Sequence, residues 1–123
     1  MFKDSKAFSG YSVDDVQAAR RFYGGTLGLD VTEQSAGLGI SLAASGSVFL
    51  YPKENHEPAT FTVLNFPVDD IVAAVESLIE HGVAMERYDG FEQDERGITA
   101  PGDGPRIAWF KDPAGNILSV LQI

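Results

Sequence analysis

The sequence predicts an α+β fold built from two copies of one unit: a strand, a helix and three further strands. Three observations point there. Residues 13 to 19, Val-Asp-Asp-Val-Gln-Ala-Ala, return as residues 68 to 74, Val-Asp-Asp-Ile-Val-Ala-Ala, with five identities in seven at an offset of 55. Self-similarity at this scale decides how the rest of a chain is read. Each copy follows a short apolar segment, Phe8 to Val13 or Phe61 to Val68, and each is followed by apolar residues at helical spacing and then by strand-like runs between turn residues.

The elements follow in order. After the first apolar strand, Asp14-Asp15 opens a helix whose apolar positions are Val16, Ala19, Phe22, Tyr23 and Leu27; after the second, Asp69-Asp70 opens one with Ile71, Ala74, Val75, Leu78 and Ile79. A carboxylate at a helix start accepts from orphan backbone N–H groups and complements the dipole, so the aspartates read as caps. Gly24-Gly25 and Gly82 read as stops, where left-handed angles carry no Cβ penalty, and His81 as a residue of the last helical turn. Strands are expected at Leu29 to Glu33, Leu38 to Ala43 and Val48 to Tyr51, with a tight turn at Ser45-Gly46. The second set is Val83 to Tyr88, Arg106 to Phe110 and Ile117 to Leu121, with turn chemistry at Asp112-Pro113-Ala114-Gly115. Module one is expected over about 7–52 and module two over about 60–123, within a single domain over residues 1–123. The segment 89–104 is too long for a simple connection and is a lid candidate.

Composition narrows the function. The 123 residues are 44% hydrophobic and 22% charged, the balance of a packed core. Eighteen acidic against nine basic side chains give a net charge of −9, which repels a phosphate backbone and an anionic bilayer, so neither nucleic acid nor membrane is an expected partner. The absence of cysteine removes disulfides, thiolate catalysis, zinc ribbons and iron–sulfur clusters. The start, Met1-Phe2-Lys3-Asp4-Ser5-Lys6, lacks the apolar run of a signal peptide, and the expected location is the cytoplasm.

The duplicated unit, its strand-Val-Asp-Asp-helix openings, Phe22-Tyr23 before Leu27-Gly28-Leu29, and the closing Phe110-Lys111-Asp112-Pro113-Ala114-Gly115-Asn116 resemble the vicinal-oxygen-chelate superfamily of glyoxalases, extradiol dioxygenases, fosfomycin-resistance enzymes and bleomycin-binding proteins. The resemblance spans essentially the whole chain. It implies two tandem βαβββ modules forming a curled mixed sheet around a concave cavity, commonly in a homodimer. It also implies, for catalytic members, a divalent metal held from the first and last strands of each module. Those positions fall here on Phe8, Val63, Leu50 and Ser119. Three of them offer no lone pair and the fourth a neutral hydroxyl, a poor set for a cation that needs several N or O donors. No metal and no cofactor is therefore expected. Elsewhere, His56 with Glu54 and Glu57, and the carboxylates Asp89, Glu92, Asp94 and Glu95, read as solvated surface.

Strand alternation then builds a pocket from those anchors. Phe8, Gly10 and Ser12 face inward on the first strand, and Phe61, Val63 and Asn65 on its repeat. A regular turn at Asp112 to Gly115 pairs Ser119 with Ala108, turning Arg106, Ala108, Phe110, Ile117, Ser119 and Leu121 inward while Ile107 and Trp109 join the helix-facing core. A two-residue turn at Ser45-Gly46 pairs Leu50 with Ser41, leaving Val48 and Leu50 inward while Phe49 and Tyr51 pack against a helix. The expected ligand-binding set is Phe8, Ser41, Leu50, Phe61, Val63, Asn65, Arg106, Phe110 and Ser119, with Phe91 placed to close over a bound molecule. An apolar lining with a few polar handles suits a small-molecule site. The expected function is a metal-free protein that sequesters a partly aromatic small molecule, with the acidic field favouring a cation, in a homodimer, as the bleomycin-binding proteins do. The alternative is a glyoxalase- or dioxygenase-like enzyme, a lyase, isomerase or oxidoreductase, with an atypical or absent metal site.

Overall fold

Asp15 and Asp70, the second member of each aspartate pair, adopt extended backbone angles and accept hydrogen bonds from Ala18 N and Ala73 N, each at 3.1 Å. They cap helices α1 (Val16–Arg20) and α2 (Ile71–Glu80), so the repeated motif does the same local work twice. In the computed structural model, which describes residues 1–44, 46–102 and 104–123, contacts divide the chain into two units, Met1–Pro58 and Ala59–Ile123.

In the first unit α1 runs into a π-helical turn, Arg21–Thr26, closed by Leu27 N donating to the Phe22 carbonyl at 2.9 Å. The wider turn carries Tyr23 into the core, where its hydroxyl lies 2.8 Å from that of Tyr11. Gly24 and Gly25 are inside this turn, and the left-handed residue that follows it is Gly28, at φ 71°, a correction to the expected stop. Four strands follow the order β1 (Ser9–Val13), β4 (Gly46–Pro52), β3 (Gly37–Leu42), β2 (Asp30–Gln34), with β1 parallel to β4 and the rest antiparallel. This is the expected βαβββ module. Tyr11, Val13, Leu38, Ile40, Val48 and Leu50 are buried on the sheet face that packs against α1.

The second unit has three strands in the order β5 (Thr62–Pro67), β7 (Ile117–Gln122), β6 (Arg106–Lys111), with β5 parallel and β6 antiparallel to β7. Helix α2 buries Ile71 and Val75, packs on β6 and β7, and ends at Gly82, whose φ of 86° matches its expected role as a stop; His81 Nδ1 lies 2.7 Å from the Ser77 carbonyl. The strand expected at Val83 to Tyr88 is reduced to one bridge, Met85 to Phe110, and one bond from Glu86 N to the Trp109 carbonyl. The Gln93 carboxamide takes the place of a ladder: it accepts from Tyr88 N and donates to the carbonyls of Glu86 and Gly97. Asp94 Oδ1 accepts from Arg96 N and Ile98 N, Ile98 is fully buried, and Arg96 pairs with Glu76 of α2 at 2.8 Å. Much of the long loop is thus tied to its own unit.

Two registers differ from expectation, and both differences are odd-numbered. Ser119 faces Trp109 and Phe110 faces Leu118, one residue from the expected pairing. Leu50 faces Leu38 and Ser41 faces Ser47, three residues away. An odd slip moves every side chain to the opposite face. The causes lie in the turns. Lys111 pairs with Ile117, so the loop holds five residues, organised by the buried Asp112 carboxylate: Oδ1 accepts from Ala114 N and Asn116 N, and Oδ2 from Asn116 Nδ2. In the other hairpin Leu42 pairs with Gly46, a left-handed residue at φ 94°; Ser45, the other half of the expected turn, lies outside the described residues. Replacing Asp112 with Ala strands three donors in a part-buried loop, and urea denaturation should show a loss of about 2–4 kcal/mol.

Candidate functional site

Each unit leaves one sheet face away from its helix, and the observed registers decide what stands there. In the first unit Gly10 and Ser12 of β1 stand beside Phe49 and Tyr51 of β4, whose rings stack with centroids 6.2 Å apart. Phe8, Gln34, Gly39, Ser41, Ser47 and Phe49 line an open groove of about 260 Å³. Gly39 makes room for the Gln34 carboxamide, because an added Cβ would collide with its Nε2. Phe8 is 66% exposed, and Ser41 is exposed as well. At the end of the same face Ser12 Oγ lies 2.6 Å from His56 Nδ1. Leu50 is the correction here: it is fully buried on the helix side, and Phe49 takes the place expected for it.

In the second unit the parallel pairing puts Asn65 beside Ser119. Ser119 is fully buried and its hydroxyl donates to Asn65 Oδ1 at 2.6 Å, while Asn65 itself is exposed. Across β6, the neighbour of Ser119 is Trp109, whose Nε1 donates to Thr62 Oγ1 at 3.2 Å and whose ring meets Tyr88 edge-on at 5.5 Å and Phe91 at 4.9 Å. A bulge between Thr62 and Leu64 absorbs Val63, which brings Thr62 to the same face as Asn65. Phe61, just before β5, is 67% exposed. Phe110 and Arg106 are corrections: Phe110 is 1% exposed in the core with Ala108, Leu118 and Val120, and Arg106 pairs with Gln122 on that side, its buried Nε without a hydrogen-bond partner. Trp109, expected in the helix-facing core, is buried at 9% exposure but on the opposite side of the sheet, against Tyr88 and Phe91.

The Tyr88 hydroxyl is also buried without a partner. Burial, and then the charge of Glu86, push its pKa above the usual 10. The structure departs most from the sequence reading around this cluster: the hydroxyl of Thr62 and the rings of Tyr88 and Trp109 carried no signal separating them from core, whereas Phe91 did, through its place in a long loop.

The parallel pairs also align the two units. Gly10 and Asn65 are equivalent at the offset of 55, and they face Phe49 and Ser119 respectively, so Phe49 is the module-one counterpart of Ser119. The four positions that the resemblance assigns to metal donors are therefore Phe8, Phe49, Val63 and Ser119. They do not fit a divalent cation: two rings, an isopropyl group and a hydroxyl already bonded to an amide supply no charged or imidazole donor. Among the described residues no group of three or more His, Asp or Glu side chains is placed to hold one elsewhere.

Residues 8–120 match the family model of the Glyoxalase/Bleomycin resistance protein/Dioxygenase superfamily. The chain belongs to this superfamily. Among solved structures similar to this superfamily member is a glyoxalase/bleomycin resistance protein from Streptomyces sp. CB03234, 28% identical over 96% of this chain and 100% of that one, with a TM-score of 0.65. An antibiotic binding protein from the same organism, TnmS3, is 27% identical over 94% of this chain and 92% of that one, with a TM-score of 0.67. A fosfomycin resistance protein from Listeria monocytogenes, 12% identical over 95% and 91% of the two chains at a TM-score of 0.73, shares the fold. No curated protein matches the chain. No helix among the described residues is long and apolar enough to cross a membrane.

The unpartnered Tyr88 hydroxyl gives a direct test. Tyr88→Phe removes a buried orphan oxygen while keeping the ring contact with Trp109, so at pH 7 stability should stay level or rise by up to about 1 kcal/mol. A folded-state pKa raised above the unfolded value gives stability that is whole below about pH 10 and declines as the unfolded chain ionises first. Chemical denaturation from pH 8 to 11 should therefore show a weaker alkaline decline in the Phe variant.

Proposed function

We propose that this superfamily member binds a partly aromatic small molecule and sequesters it unchanged, without a metal or cofactor, as a cytoplasmic homodimer. The observation that carries the reading is the donor set: Phe8, Phe49, Val63 and Ser119 occupy the places where catalytic relatives would need charged or imidazole groups. Further support comes from the rings presented to solvent, Phe8 and Phe61, and from the printed description of one relative, at 27% identity, as antibiotic binding. Burying such rings against a planar ligand contributes about 25 cal/mol per Å² of apolar area before the losses of association are subtracted. On the first unit the proposed contact residues are Phe8, Ser41 and Phe49; on the second they are Phe61, Val63 and Asn65, with the fully buried Ser119 touching no ligand and holding the Asn65 amide. Arg106 and Phe110 are left out, since they stand on the helix side.

Two measurements test this. Calorimetric titration with Mn, Ni or Zn should show no stoichiometric binding, and tight one-to-one uptake by protein donors would overturn the reading. Phe61→Ala should weaken binding of planar aromatic compounds by roughly tenfold with little change in melting temperature, because the ring is exposed. Phe110→Ala should instead remove about 3–5 kcal/mol of stability, because its ring fills the core.

A further inference from the structure

Asn65 is the one polar handle of the expected set that the second unit presents outward, and its carboxamide is not free to turn. Ser119 sits on β7, the central strand, whose backbone bonds on both sides to β5 and β6. Its hydroxyl is fully buried and must place one proton on an acceptor, since a buried O–H left without one is penalised by its lost hydration. Asn65 Oδ1 is that acceptor. Were the amide reversed, its Nδ2 would donate to Oγ and the serine proton would be left over. The 2.6 Å separation agrees, being the length of an O–H···O bond and short for N–H···O. With Oδ1 committed to Ser119, the exposed side of the amide is its NH2 group.

A fixed donor beside aromatic surface selects a ligand. Trp109 faces Ser119 across the sheet, 9% exposed beneath Tyr88 and Phe91, and its N–H is occupied by Thr62 Oγ1, so the indole supports the exposed Phe91 ring and offers no competing donor. Phe91 extends the aromatic surface from the loop, 54% exposed. The acceptor that meets Asn65 has two chemical forms, carbonyl and carboxylate. A net charge of −9 opposes the second. The equivalent position in the first unit is Gly10, facing Phe49, so the handle belongs to module two only. We infer that Asn65, oriented by Ser119, is the specificity-determining residue of the aromatic-ligand site and that it selects neutral aromatic carbonyl compounds over purely hydrocarbon ones. This rests on the sequestering reading and adds to it the chemical class of the ligand.

The test uses three probes of matched shape, 2-acetylnaphthalene, 2-ethylnaphthalene and the cation 2-naphthylmethylammonium, followed by fluorescence of Trp109, the sole tryptophan. The wild-type protein should bind the ketone roughly tenfold more tightly than the hydrocarbon, the preference one hydrogen bond supplies. Asn65→Asp, which exchanges the donor for an acceptor of nearly the same shape, should abolish the preference for the ketone and favour the ammonium. Ser119→Ala, which frees the amide to rotate, should shrink the preference for the ketone while leaving hydrocarbon affinity unchanged. Circular dichroism confirms that each variant is folded. Equal binding of ketone and hydrocarbon by the wild type, or an Asn65→Asp variant that keeps the ketone preference, overturns the assignment of Asn65 and leaves the sequestering reading standing. Failure of all three probes to bind the wild type overturns both.

Discussion

The buried Asp112 carboxylate sets what the second unit can present. By gathering the N–H groups of Ala114 and Asn116 and the Asn116 amide, it stabilises a five-residue loop between β6 and β7. Loop length fixes register, and register fixes which side of the sheet each residue faces. With one residue fewer in that loop, Phe110 would stand on the open face and Trp109 in the core. The carboxylate thereby determines that the sheet face away from α2 carries an indole, a buried serine and an exposed asparagine.

The two units solve the same packing problem with different open faces. Each begins with a strand, a capping aspartate and a helix whose apolar stripe covers one side of a sheet. In the first, a π-helical turn carries Tyr23 into the core against Tyr11, and the opposite face is small and polar around Phe49, with Gly39 accommodating the Gln34 amide. In the second, the strand expected after α2 gives way to a segment whose backbone groups are taken by Gln93, and the loop beyond it supplies Phe91 to the Trp109 ring. Duplication fixed the covered faces, and the open faces diverged.

That divergence bears on chemistry. A superfamily whose catalytic members grip a cation from paired strands needs charged or imidazole donors at four equivalent positions, and here the parallel registers put two phenylalanines, a valine and a committed serine there. Those strands carry two phenylalanines in the first unit and a valine and a serine bonded to Asn65 in the second.

The sequence alone determined the duplicated α+β architecture, both helix starts, the stop at Gly82, most strand locations and the poverty of metal donors, because these depend on local hydrogen bonding, on periodicity and on residue chemistry. Of the residues expected to face a ligand, Phe8, Ser41, Phe61 and Asn65 are exposed and Ser119 is buried beside Asn65, although Ser41 was reached through a miscounted turn and Phe61 lies beyond the bulge in β5. Tertiary structure decided the remainder. The facing of Leu50, Phe110, Arg106 and Trp109 depended on how many residues each hairpin loop holds, and that number is set by Asp112 bonding across its own turn and by a left-handed Gly46, neither of which alternation registers. The loss of a strand after α2 depended on Gln93 folding back onto residues 86, 88 and 97, a contact between side chain and backbone that no periodic pattern encodes.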